Sequence, residues 1–238
     1  MEIVAPHVRF LELRSTKEPC TLVNVSSLIE ASLDLCLTVD TCYYPGIHLK
    51  ADDYLPLQNM VLKMLANLQN VKELTFGSNF LQILSLAELR GISFPTLKVQ
   101  TLTVSLMFAR SVIPGIERLL QNSPGLKKLI AHAKSPEGIE NKDVDRYLDS
   151  QGLNPNQCWK SKYEAFPTSN EIFYNSGVTS KLVASFIEMV LKNVKTLETL
   201  IVALKHIRDT GDAEWFEELL QMPPTLSNSN NVSIEFRR

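Results

Sequence analysis

Apolar and polar positions along this chain follow two periods, and the two succeed one another three times in the same order. The stretches are Val61 to Phe76, VLKMLANLQNVKELTF, Ile116 to Ala131, IERLLQNSPGLKKLIA, and Ile187 to Val202, IEMVLKNVKTLETLIV. In each, apolar residues first recur three and four apart, the helical spacing, and then alternate as in a short strand. Four columns agree in all three copies. They are Leu65, Leu120 and Leu191, then Asn67, Asn122 and Asn193, then Val71, Leu126 and Leu197, and finally Leu74, Leu129 and Leu200. Each copy reads helix, turn, strand. Such a unit carries one apolar face on its helix and one on its strand and buries neither alone, so it must stack on neighbours of its own kind. The aligned asparagines fall between helix and strand, where a residue that tolerates the left-handed conformation ends a helix with little strain.

The remaining segments extend this pattern. Val8 to Leu13 is expected to be a strand with Val8, Leu11 and Leu13 inward, so the chain starts mid-architecture with an uncapped edge that favours self-association. Leu28 to Val39 gives a second strand through Leu33, Leu35 and Leu37, and Asp40 to Asp53, with Tyr43-Tyr44-Pro45-Gly46, a turn-rich insertion before a helix starting near Leu57. Phe80 to Arg90 has the spacing of a short helix stopped by Gly91. Val99 to Leu106 alternates strictly and carries no charge, as a central strand does. Ser111 opens the next helix, and Asn141 to Gln151 reads as a surface helix ended by Gly152. From Asn154 to Phe173 no period persists, which predicts a loop anchored by Trp159 and Phe166. Helix resumes at Thr179, Gly211 to Gln221 is a further amphipathic helix, and Asn231 to Phe236 is a last short strand. The expected fold is α/β, a leucine-rich-repeat, solenoid-like stack of helix-strand units with a parallel sheet on its concave face. Residues 1–150 form the repeat region and residues 151–238 continue the stack.

Strand alternation also names the outward residues, since the middle residue of each apolar-x-apolar triplet points away from the core. The row reads Glu12, Asp34, Thr75, Thr103, Ile130, Ile201 and Ser233, from acidic through polar to apolar. A contiguous apolar patch on such a face marks an interface. The candidate partner-binding residues are therefore Ile130 and Ile201, with Thr75 and Thr103 beside them and Lys128 and His132 as polar rim. The competing reading is that the segment from Asn154 to Phe173 covers the two isoleucines.

Composition narrows the function. The chain has 238 residues, 45% of them hydrophobic, and a net charge of −2, so it can bury a large core and offers no general nucleic-acid surface. The uncharged run Leu74 to Ala87 includes glycine, serine and asparagine and is too short to span a bilayer. Its four cysteines, Cys20, Cys36, Cys42 and Cys158, make no C-x-x-C pair and read as reduced thiols, and the first residues have no secretory h-region. Those features fit a cytoplasmic or nuclear protein, in which the N-x-S sequons at Asn24 and Asn231 are coincidental. No nucleophile elbow, phosphate loop or dinucleotide fingerprint occurs. Cys36, Cys42 and His48 match no zinc spacing. Neither an enzyme activity, a cofactor nor a metal is expected.

LLQNSPGLKKL, QGLNPNQCWKSKYEAFP, VASFIEMVLKNVKTLETLIV and the ending LSNSNNVSIEFR together resemble the C-terminal part of plant F-box proteins with leucine-rich repeats and an FBD domain. The first 150 residues share only the general repeat character. Cys158-Trp159-Lys160 with Pro167, the helix-strand unit after them and the terminal strand carry the FBD-like portion, residues 151–238. In that family an N-terminal F-box docks on the Skp adaptor of a cullin ubiquitin ligase and the repeats select the protein to be ubiquitinated. The resemblance thus implies a protein-binding substrate-recognition module. No F-box-like segment precedes Val8, so it assigns adaptor docking to no residue of this chain.

Overall fold

The computed structural model describes residues 2–15, 20–35, 54–133, 142–157, 165–168, 171, 178–204, 217, 219, 221 and 231–237. Its strands are β1 (Glu2–Val4), β2 (Phe10–Ser15), β3 (Thr21–Val23), β4 (Glu30–Leu35), β5 (Glu73–Phe76), β6 (Thr101–Leu106), β7 (Lys128–Ala133), β8 (Thr199–Ala203) and β9 (Ser233–Arg237). Its helices are α1 (Tyr54–Asn67), α2 (Ser78–Leu89), α3 (Ile113–Gln121), α4 (Lys142–Ser150) and α5 (Ser180–Asn193). Seven strands form one all-parallel sheet in the order β2-β4-β5-β6-β7-β8-β9, so each newly formed strand joins the edge left by its predecessor. That is the topology of stacked units rather than of a wound sheet, and it makes β6, which lies within Val99 to Leu106, the central strand, as the uncharged alternation of that stretch implies.

Register explains why these residues form this sheet. Leu11, Ala31, Leu74, Leu102, Leu129, Leu200 and Ile234 lie side by side across the strands, and Leu13, Leu33, Phe76, Val104, Ala131, Val202 and Phe236 form a second such row. Both rows are apolar from edge to edge and face the helices, where they are buried in the interior strands and half-buried in β2 and β9. Shifting any strand by one residue would put its apolar set on the outside, so the pattern fixes the pairing. Of the aligned leucine columns, Leu65, Leu120, Val71, Leu126, Leu197, Leu74, Leu129 and Leu200 are buried and Leu191 is half-buried.

The returning segments form the second layer. Between β4 and β8 the described returns are helices, α1 packing on α2, α2 on α3 and α3 on α5, with Phe76 stacked on Phe80 and Phe108 edge-on to Phe186 beneath them. Ahead of α1 the return is made by β1 and β3, which pair in parallel as a separate two-stranded sheet, with β3 against α1. At three residues each they are too short to display a period. Val8, expected inward, precedes β2 and is exposed, because the strand starts at Phe10. The first helix begins at Tyr54, not Leu57, and α3 at Ile113, not Ser111. Ser111 is instead buried and accepts from the Gln82 side chain at 3.3 Å. One face of α4, expected at the surface, is embedded through Val144, Tyr147 and Leu148. Leu37, the insertion 40–53, Trp159 and most of 211–221 lie outside the described residues.

The aligned asparagines act differently from the expectation. Asn122 has φ −91°, outside the left-handed region, and neither Asn67 nor Asn193 has positive φ. Each places its side-chain amide on the carbonyl four residues back: Asn67 on Lys63, Asn122 on Arg118 and Asn193 on Met189, all at 2.9 Å. The column is thus a repeated side-chain bond that supplies a donor to a last-turn carbonyl. Gly91 and Gly152 do end their helices left-handed, at φ 73° and 64°.

Tight contact between α2 and α3 also rests on a residue pair. α3 has no side-chain cap of its own; Ser85 of α2 accepts the Gly115 N–H at 2.9 Å. The same hydroxyl lies 3.0 Å from Leu81 O and 2.9 Å from Val112 O, donating to one of them at a time. A Cβ on Gly115 would stand 2.7 Å from Leu81 O and from Ser85 N, so only glycine lets the two backbones meet here.

Candidate functional site

The candidate surface is the face of the large sheet opposite the helices. Three rows of outward residues follow from the parallel register. Nearest the strand starts lie Phe10, Glu30, Glu73, Thr101, Lys128, Thr199 and Ser233. The middle row is Glu12, Ser32, Thr75, Thr103, Ile130, Ile201 and Glu235. Beyond it are Arg14, Asp34, Ser105, His132, Ala203 and Arg237. Thr75, Thr103, Ile130 and Ile201 therefore do stand side by side, and Lys128 and His132 flank Ile130 on its own strand. Asp34 and Ser233 belong to neighbouring rows, because register pairs Ser32 and Glu235 with the others; triplet position alone could not set that offset.

Burial divides the face. Lys128 and His132 are exposed and Thr75, Thr103 and Ile130 half-buried, whereas Ile201 is only 1% exposed and Ala203 9%. Ile201 is thus a support beneath the surface, and Ile130 is the accessible one of the two isoleucines. At the far end of β6 the next outward position, Met107, forms with Ala109 a small buried cluster apart from the main core. Arg110 follows it. Its backbone N–H donates to Pro167 O at 2.8 Å, and its guanidinium reaches Asp145 at 3.0 Å and Asp149 at 2.9 Å on α4. Burial alone would lower the Arg110 pKa, but the two carboxylates outweigh it and hold the guanidinium above its usual value. α4 is fixed on its other side by Tyr147, whose ring tilts against Tyr54 at 4.4 Å and whose hydroxyl accepts from Arg90. Phe166 joins the main core, as its anchoring role requires. Thr168 and Glu171 form a reciprocal capping box, Thr168 N–H on the Glu171 carboxylate at 2.6 Å and Glu171 N–H on the Thr168 hydroxyl at 3.2 Å. Those backbone and hydroxyl bonds hold the Glu171 carboxyl below its ordinary range.

Among the residues of this face that escaped the sequence reading are Glu30 and Glu73. They are exposed, lie directly in register on adjacent strands, and among the described residues no cation pairs with either. Carrying the alternation two residues toward the strand starts would have found them. Thr101 and Lys128 continue their row. The arrangement offers hydrogen-bonding hydroxyls, an accessible isoleucine and exposed charges. Among the described residues no group of three or more His, Cys, Asp or Glu could hold a metal ion, and no helix is long and apolar enough to cross a membrane.

Comparison with known proteins supplies close counterparts. A putative F-box/LRR-repeat protein of Arabidopsis thaliana is 54% identical over 236 residues, 98% of this chain and 48% of that protein. A second Arabidopsis thaliana F-box/LRR-repeat protein is 46% identical over 240 residues, 100% of this chain and 50% of its own. A probable F-box protein of the same plant is 44% identical over 238 residues, 98% of this chain and 66% of its own. The chain spans about half the length of the first two. No protein-family model matches it, and no solved structure does.

Proposed function

The chain belongs to the plant F-box/LRR-repeat family, and we propose that it is a substrate-recognition module of a ubiquitin-ligase receptor, holding a target protein on the concave repeat face. The observation that carries this reading is the half-buried Ile130 between exposed Lys128 and His132, with Thr103 and then Thr75 in register beside it. An apolar anchor with a polar rim is the usual composition of a protein interface. Ile201 serves from below, holding the Ile130 side of the row. Residues 1–150 are the repeat region and 151–238 an FBD-like region continuing the same sheet through β8 and β9. Stable co-purification of the full-length natural protein with a Skp-type adaptor and a target, with Ile130→Asp losing the target and keeping the adaptor, is the expected result. Retention of the target by Ile130→Asp would overturn the assigned face. A target bound through that face with no adaptor in any preparation would favour a stand-alone repeat scaffold instead.

A further inference from the structure

The outward face is electrically polar along the direction that crosses the strands. Glu30 and Glu73 lie side by side at its β4-β5 end, and Lys128 stands in the same row on β7. The three are exposed, and the described residues give none of them an ion-pair partner. Like charges directly opposed on neighbouring strands oppose pairing of the sheet, so the fold itself gains nothing from the two glutamates. Between the two ends lie Thr101 and Thr103, both uncharged, and Ile130 is the apolar residue next to Lys128 on its own strand face. Three inter-strand steps of ~4.8 Å put Glu30 and Lys128 about 14 Å apart, the reach of about four residues of extended chain.

Resting on the recognition face assigned above, we propose that the target presents an extended segment with segregated charge, running across the strands. Its lysine or arginine sits over Glu30 and Glu73, an aliphatic residue meets Ile130, and an aspartate or glutamate about four residues from the cation pairs with Lys128. The complement is specific in order, since a segment with the same residues but alternating charges would put an acid over a glutamate or a base over Lys128.

The test uses the full chain and two fluorescein-labelled peptides of identical composition. One has two lysines, three aliphatic residues and two aspartates in that order; the other has the same residues with the charges interleaved. Fluorescence anisotropy at low salt should show the segregated peptide binding about fivefold tighter, the size expected of a few exposed ion pairs. Glu30→Gln with Glu73→Gln should remove that preference, and so should about 1 M salt, where the screening length falls to ~3 Å. Ile130→Asp should weaken both peptides. If Ile130→Asp weakens binding but charge order and the glutamate pair make no difference, the polarity inference fails and the recognition face stands. If Ile130→Asp leaves binding unchanged, the face itself is wrong. Failure of the segregated peptide to bind at all overturns the inference.

Discussion

The helix layer and the outward face of the sheet treat their polar groups in opposite ways. Between α2, α3 and α5 most polar groups pair within the chain, the buried Gln82 Oε1 being an exception among the described residues: Ser85 caps α3, Arg118 grips Glu88 through two bonds of 2.7 and 2.6 Å, and Gln121 reaches Asn193 at 3.0 Å. Across the outward face the edge strands pair Glu12 with Arg14 and Glu235 with Arg237, but Glu30, Glu73 and Lys128 stand exposed with no ion-pair partner among the described residues, and two of them repel. Buried or half-buried polar groups must be satisfied within the chain or they destabilise it, whereas exposed ones can be left for a partner at little expense. The difference separates what holds the stack together from what it offers outside.

The largest expected contrast lies between two neighbours on β7. Leu129 is fully buried beneath the helices and Ile130 points the other way, half-buried. Leu129→Ala removes core volume and should lower stability by about 2–5 kcal/mol. Ile130→Ala should stay within about 1 kcal/mol, since only part of its apolar area leaves water. Urea unfolding of both variants checks the pair; equal losses would mean that Ile130 is structural and would undo the division of the two faces.

Next in size is the α2-α3 contact. In an unconstrained helix interior, Gly→Ala stabilises by roughly 1 kcal/mol. At position 115 the sign should reverse, with a net loss of about 1–3 kcal/mol, because the new Cβ meets the Leu81 carbonyl and the Ser85 amide, both backbone. Ser85→Ala, leaving the Gly115 N–H without its acceptor, should lose about 1–3 kcal/mol without any clash. Thermal unfolding of the two variants and their double mutant should show strong non-additivity, since both disturb one contact.

How much of this was legible in the chain depends on whether a feature repeats. The three helix-turn-strand copies and the strict, uncharged alternation of Val99 to Leu106 set the strand faces, the central place of that stretch and the neighbourhood of Thr75, Thr103, Ile130 and Ile201, because a period of two admits only one inward set. Single features had no such support. β1 and β3 show no alternation in three residues, and the pattern gives buried Ile201 the same place as half-buried Ile130. The Ser85-Gly115 contact joins residues 30 apart with nothing local to announce it. The asparagine column shows the limit from the other side: recurrence marked the position correctly, but residue type alone favoured the left-handed backbone over the side-chain bond that all three make. Left-handed asparagines do occur, at Asn24 just after β3 and at Asn231 just before β9.

A smaller effect sharpens the helix side through pH. Burial raises the pKa of Glu117 on α3, and its contacts with Asn193, Lys192 and Arg118 only partly oppose this. A carboxyl whose folded pKa is raised favours the protonated folded state, so its contribution is present at pH below the ordinary carboxyl value and lost as pH rises through the folded pKa. Glu117→Gln, which imitates the protonated form, should raise the melting temperature at pH 7 relative to the parent chain. At pH 4 the advantage should shrink. A variant less stable at pH 7 would show that the ionised carboxylate belongs to the helix seam after all.

The smallest effect probes the sheet face where it is most exposed. Glu73 stands in register with Glu30, one strand spacing of about 4.8 Å away. If that pair is held for a partner and not for the fold, removing one charge should help the isolated chain. Glu73→Gln is expected to stabilise by about 0.2–1 kcal/mol at low ionic strength, the range of a cross-strand charge contact. The gain must come from repulsion and not from the new amide, and salt distinguishes the two. At about 1 M salt the screening length is ~3 Å, shorter than the strand spacing, so a Coulombic gain should largely disappear while a hydrogen bond made by the introduced amide would persist. Denaturant unfolding at both salt concentrations reads this directly. A Glu73→Gln chain that is less stable at low salt would place the glutamates among the groups that hold the stack, and the two faces would then follow the same rule.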